Sequence, residues 1–129
     1  MPSHPQTRVL YVDHHDDSRE MLCTLLAISQ IDVTAVASAK NAVSLMESER
    51  FDMYLLESWL PVTDGFELCR ILRERHPETP VVFFSGAAFD VDQKRGIEAG
   101  ASAYVCKPDL NGLLGSITQF ISQGEGVAA

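Results

Sequence analysis

Four segments of the chain place a polar side chain capable of chemistry directly after a short apolar run. Asp13, with His14 and His15, follows Val9–Val12; Glu57 follows Met53–Leu56; Ser85 follows Val81–Phe84; and Lys107 follows Ala103–Cys106. A carboxylate beside a lysine and a hydroxyl can bind a phosphoryl group, and the same trio also forms an ordinary hydrogen-bonded salt bridge. His14 and His15, beside Asp13 and Glu57, raise the question of a zinc site. Adjacent residues leaving a strand diverge, however, so exposed or pocket-lining histidines are the plainer reading.

These residues meet only if the apolar runs are strands of one sheet. Continuous apolar runs suit strands covered on both faces. A fifth, more mixed run, Asp32–Ala37, suits a strand near an edge. Helical patterns lie between the runs, clearest over residues 18–29, where Met21, Leu22, Leu25 and Leu26 share a face. Asp17 with Glu20 and Asp90 with Gln93 resemble capping boxes, Ser38 precedes a helix over Lys40–Ser48, and Gly100 can end the helix before it. Phe66, Cys69 and Leu72 give the third helix an apolar side, opposite a solvated side of Arg70, Arg73 and Arg75; Pro77 and Pro80 stop it. The last helix is expected over about Asn111–Ser122, weakened by Gly112 and Gly115. Strict alternation of this kind predicts an α/β fold: a five-stranded parallel, doubly wound sheet with five alternating helices and a site outside the carboxyl ends of the strands.

The chain has 129 residues, the size of one domain, and 46% of them are hydrophobic, enough for one buried core. A formal charge of −8 repels polyanions, so direct nucleic-acid binding is not expected. Cys23, Cys69 and Cys106 are odd in number, far apart and set among apolar residues, which predicts buried thiols in a reducing compartment. No stretch reaches the roughly 18 apolar residues of a membrane span, and residues 1–7 carry no apolar signal core. A cytoplasmic protein is expected, with an N-terminal extension over residues 1–7, one domain over 8–122, and a flexible tail or cut linker over 123–129.

The order and context of the motifs go further. Val9-Leu10-Tyr11-Val12-Asp13, Leu55-Leu56-Glu57-Ser58-Trp59-Leu60-Pro61 running on to Asp64-Gly65, Phe84-Ser85-Gly86-Ala87, and Ala103-Tyr104-Val105-Cys106-Lys107-Pro108 together resemble the receiver domain of bacterial two-component response regulators. The resemblance covers residues 8 to 122 and implies the flavodoxin-like receiver fold. It also implies an acceptor at Glu57, an acidic pocket at Asp13 and His14, a hydroxyl switch at Ser85, an aromatic switch at Tyr104, and a phosphate-pairing Lys107 followed by Pro108. In that family the acceptor is an aspartate, and two acidic residues ending the first strand hold magnesium.

This chain departs from the pattern at both places. Glu57 is one methylene longer than aspartate, which moves its oxygens out by about 1 Å, and in-line phosphoryl transfer is sensitive to such a shift. His14 replaces a carboxylate, the donor magnesium prefers, so no cofactor is expected and magnesium binding should be weak. Three readings of Glu57 remain: an acceptor mimic held by Lys107, a silent salt bridge, and a true acceptor. Glu57 and Lys107, taken to end adjacent strands, should lie within hydrogen-bonding reach. Tyr104 reads as a partner-sensing switch or as a half-buried strand aromatic, and Trp59 as a cover over the site, a gate or a partner contact.

The expected function is that of a non-enzymatic pseudo-receiver, a signalling interaction module independent of phosphorylation. It would dock a protein, such as a histidine kinase or an output domain, through the fourth helix, fifth strand and fifth helix. The alternative is a working phosphorelay receiver. Oligomeric state and partner identity are not encoded in any motif.

Overall fold

The computed structural model describes residues 6–128, with side chains up to residue 121. Ten elements alternate: β1 (Thr7–Val12), α1 (Asp16–Ile28), β2 (Ile31–Val36), α2 (Ala39–Ser48), β3 (Met53–Leu56), α3 (Gly65–Arg75), β4 (Val81–Ser85), α4 (Asp90–Glu98), β5 (Ala103–Cys106) and α5 (Leu110–Ala128). The strands form one parallel sheet in the order β2-β1-β3-β4-β5, so the mixed run is indeed an edge strand. After β2 the chain crosses back to put β3 on the other side of β1. This reversal opens a crevice at the carboxyl ends of β1 and β3.

Burial of both faces explains the apolar runs. Leu10, Val12, Tyr54, Leu56 and Phe83 pack under α2 and α3 through Ala42, Met46, Phe66, Leu68 and Leu72. Val9, Tyr11, Met53, Leu55, Val82 and Phe84 pack under α1 and α5 through Leu22, Leu26, Leu113 and Ile117. Cys69 is buried, and burial pushes its thiol up to about 11, whereas Cys23 and Cys106 are only half-buried, short of the expectation.

Several local expectations need correction. Helix α1 is capped by His15 with no side-chain bond, so Asp17 and Glu20 do not form a box, and Met21 is 49% exposed rather than part of the core face. Ser38 caps α2 as expected, accepting the Asn41 N–H at 3.2 Å. Phe89, not Asp90, is the residue before α4, and Asp92, not Gln93, reaches back to its N–H at 3.2 Å. Gly100 follows that helix with φ of +109°, a conformation that glycine adopts without steric cost.

Arg73 is not on a solvated side. It lies across the gap between α3 and the loop before β5, donating to the Gly100 carbonyl at 2.5 Å, the Thr79 carbonyl at 2.9 Å and the Ser102 hydroxyl at 3.1 Å. Asp109 accepts the Gly112 N–H at 2.9 Å at the start of α5, and that helix continues to Ala128, past the expected end at Ser122 and through most of the expected tail. At the other end, β1 begins at Thr7, and residues 1–5 of the expected extension lie outside the described residues.

Candidate functional site

The strand ends bring Asp13, Glu57, Ser85 and Lys107 together. Asp13 extends β1 by donating its N–H to the Val36 carbonyl at 3.1 Å, and Glu57 extends β3 by donating to the Val12 carbonyl at 2.9 Å. Asp13 is fully buried, Glu57 is 6% exposed and Ser85 fully buried. Lys107 Nζ lies 2.7 Å from Asp13 Oδ2 and 3.1 Å from Glu57 Oε2. β3 and β5 are not adjacent, since β4 lies between them, so the expectation of neighbouring strands was wrong. The long lysine side chain crosses the end of β4, and its shorter contact is with Asp13.

The second oxygen of Glu57 is held by hydroxyls and backbone. Oε1 accepts the Ser58 N–H at 2.8 Å and the Ser85 hydroxyl. Ser58 Oγ lies 2.6 Å from Ser85 Oγ, and Ser85 Oγ also accepts the Ala87 N–H at 3.0 Å. If Ser58 donates to Ser85, every hydroxyl proton in this buried chain has an acceptor and Ser85 reaches its full capacity of one donated and two accepted bonds.

Asp13 is equally well supplied. Tyr11 donates its hydroxyl to Oδ2 at 2.5 Å, and the His15 N–H donates to Oδ1 at 2.9 Å. Burial alone would raise the Asp13 carboxyl, but hydrogen bonds from Lys107, Tyr11 and the His15 backbone outweigh it and hold the group below its ordinary value. Burial likewise opposes the Lys107 charge, and hydrogen bonds to Asp13 and Glu57 reverse the effect and raise it. Tyr11 is pushed far up, first by burial and then by its bond to Asp13, so it remains a donor throughout the usable pH range.

Around this centre, Tyr104 turns inward. Its hydroxyl donates to the Ala87 carbonyl at 2.6 Å, its ring stacks on Phe83 with centroids 5.3 Å apart, and burial raises its pKa. Gly96 of α4 gives the ring its space, because a Cβ there would come within 2.7 Å of the Tyr104 ring. Trp59 is 59% exposed and lies edge-on to His14, with ring centroids 5.0 Å apart. His14 Nδ1 is buried without a partner among the described residues, and the His15 ring is largely exposed. The Lys107–Pro108 peptide is cis.

The sequence and the fold are matched in known proteins. The family model described as the response regulator receiver domain covers residues 9–118. The chain is a response-regulator receiver domain. It is 37% identical over 103 residues to the transcriptional regulatory protein CseB of Streptomyces coelicolor, covering 80% of this chain and 44% of that protein. It is 33% identical over 101 residues to the DNA-binding response regulator MtrA of Mycolicibacterium smegmatis, covering 78% and 44%. The chain thus spans less than half the length of these relatives. A CheY-like receiver domain from Methanospirillum hungatei superimposes with a TM-score of 0.88 at 25% identity, over 95% of this chain and 98% of that one.

The magnesium that the family implies does not fit the residues this receiver presents. Asp13 is the one carboxylate ending β1, its two oxygens already accept from Tyr11, Lys107 and the His15 N–H, and an ammonium sits between it and Glu57. No group of three or more His, Cys, Asp or Glu side chains suited to a metal occurs among the described residues.

Two residues of the receiver's pocket escaped the sequence reading. Tyr11 sits inside an apolar run and passes for core, although its i, i+2 spacing puts it on the same face as Asp13. Ser58 follows Glu57 directly, and its hydroxyl in a buried segment was the available signal.

Proposed function

We propose that this receiver is a protein-interaction module whose pocket is set without phosphorylation, with Glu57 in the role of a constitutive acceptor mimic and no catalytic activity. One observation carries the reading: the Glu57 carboxylate already engages both the Ser85 hydroxyl and the Lys107 ammonium, the two groups that a phosphoryl group on a shorter acceptor would recruit. The inward Tyr104 is consistent with a pocket held in one state. The partner, a histidine kinase or an output domain, would dock on α4, β5 and α5, where Val91 and Ile97 of α4 are 61% and 52% exposed. A charge of −8 argues against this domain touching nucleic acid itself, whatever a longer protein carries. No helix among the described residues is long and apolar enough to cross a membrane, and the cytoplasm is the proposed location.

A second reading, a working phosphorelay receiver that accepts phosphate on Glu57, fits the kinship with a protein named a response regulator. Incubation with acetyl phosphate, with and without magnesium, followed by intact-mass measurement, separates the two. The unsubstituted protein and each single replacement, His14→Asp or Glu57→Asp, should stay unlabelled, while the double replacement should take up some phosphate because it restores a metal carboxylate and the acceptor's reach. Stoichiometric, magnesium-dependent labelling of the unsubstituted protein at Glu57 would establish the second reading instead.

A further inference from the structure

We propose that Tyr11 is a specificity-determining residue of this pocket: its hydroxyl, with Lys107, competes for Asp13, so that the lysine ammonium is the pocket's preferred cation and a divalent ion is held more weakly whichever residue stands at position 14. The inference rests on the reading of the pocket as a degenerate acceptor site and assigns part of that degeneracy to a residue to which the resemblance gave no role.

The argument is one of lone pairs. A carboxylate offers about four acceptor directions. On Asp13, Oδ2 receives Tyr11 at 2.5 Å and Lys107 at 2.7 Å, and Oδ1 receives the His15 N–H at 2.9 Å with the His15 ring nitrogen 3.3 Å away. Asp13 and Tyr11 are both fully buried, and the Tyr11 hydroxyl has no other acceptor among the described residues. A divalent ion approaching Oδ2 competes with Lys107, which keeps Glu57 as a partner, and with a Tyr11 hydroxyl that has nowhere else to bond, and leaving a buried hydroxyl unpaired is costly. Replacing His14 by a carboxylate supplies a second ligand, but it does not free the first.

Calorimetric titration with magnesium chloride of the unsubstituted protein, His14→Asp, Tyr11→Phe and the Tyr11→Phe/His14→Asp pair tests this, with thermal melts to confirm folding. Phenylalanine keeps the ring and removes only the hydroxyl. The paired variant should bind magnesium at least about tenfold more tightly than His14→Asp, the equivalent of losing one charge-assisted hydrogen bond that competes with the ion. Equal affinities of those two folded variants would overturn the proposal. On the unsubstituted protein, proton NMR should show the Tyr11 hydroxyl as a slowly exchanging downfield resonance, and its absence would also overturn it, whatever the stability of the phenylalanine variant. Failure of the interaction-module reading would appear elsewhere, as phosphate on the unsubstituted protein, and leaves the affinity ratio expected between the two variants unchanged.

Discussion

The two ends of the sheet use the same chemistry in different solvents. At the amino end Arg8 bonds Glu49 at 2.6 Å and the Arg50 carbonyl at 2.9 Å, distances as short as those around Lys107. The Arg8 and Glu49 side chains are 35% and 40% exposed, however, whereas Lys107 is 22% exposed, Asp13 fully buried and Glu57 7% exposed. Water can replace a lost partner more readily at the amino end than at the carboxyl end. Distance therefore says little about what a pair contributes, and burial says a great deal.

The largest effect should come from Lys107→Ala, which leaves Asp13 and Glu57 buried, close and uncompensated. Chemical unfolding should show a loss of about 3 kcal/mol, and a loss no larger than that of an exposed pair would erase the contrast between the two ends. Titration should reveal the same asymmetry. Asp13 is held below its ordinary 3.8, so its contribution is present above that pH and is lost as pH falls through the lower, folded-state value. Lys107 is held above its ordinary 10.5, so its contribution is present below that pH and disappears as pH rises through the higher, folded-state value. Unfolding free energy measured across pH should thus have an acid limb that Asp13→Asn flattens. An acid limb unchanged in that variant would assign it to other carboxylates.

A smaller loss is expected for Ser58→Ala, about 1 kcal/mol by denaturant melt, since Ser85 loses one of its donors while keeping Ala87 and Glu57. The smallest belongs to the amino end. Glu49→Ala should cost about 0.5 kcal/mol or less, and the difference should shrink further in high salt. A cost matching that of Lys107→Ala would mean that exposure is a poor guide here.

The sheet and the converging strand ends were legible because an apolar run capped by a polar residue signals both a buried strand and its functional end. Spatial order was less legible. Nothing in Lys107 or Glu57 announces that β4 runs between their strands, and so the pairing of Lys107 with Asp13 of β1 was not foreseen. Arg73 was misread because the periodicity of α3 describes only one helix, while its partners come from the loops around Thr79, Gly100 and Ser102. Tyr11 shows the converse limit: a residue type suited to the core hid a hydroxyl that serves the site. In α5 the glycine penalty was given too much weight, since packing of Leu113 and Ile117 against the sheet supports the helix that propensity alone disfavours.

The contact between Gly96 and the Tyr104 ring carries a consequence for how this sequence can vary. With 2.7 Å between a would-be Cβ and the ring, position 96 cannot gain a side chain without moving α4 or turning the ring out. The two positions are therefore expected to drift as a pair: lineages that keep an inward aromatic at 104 should keep a bare backbone at 96, and those that gain a side chain at 96 should show a smaller residue at 104.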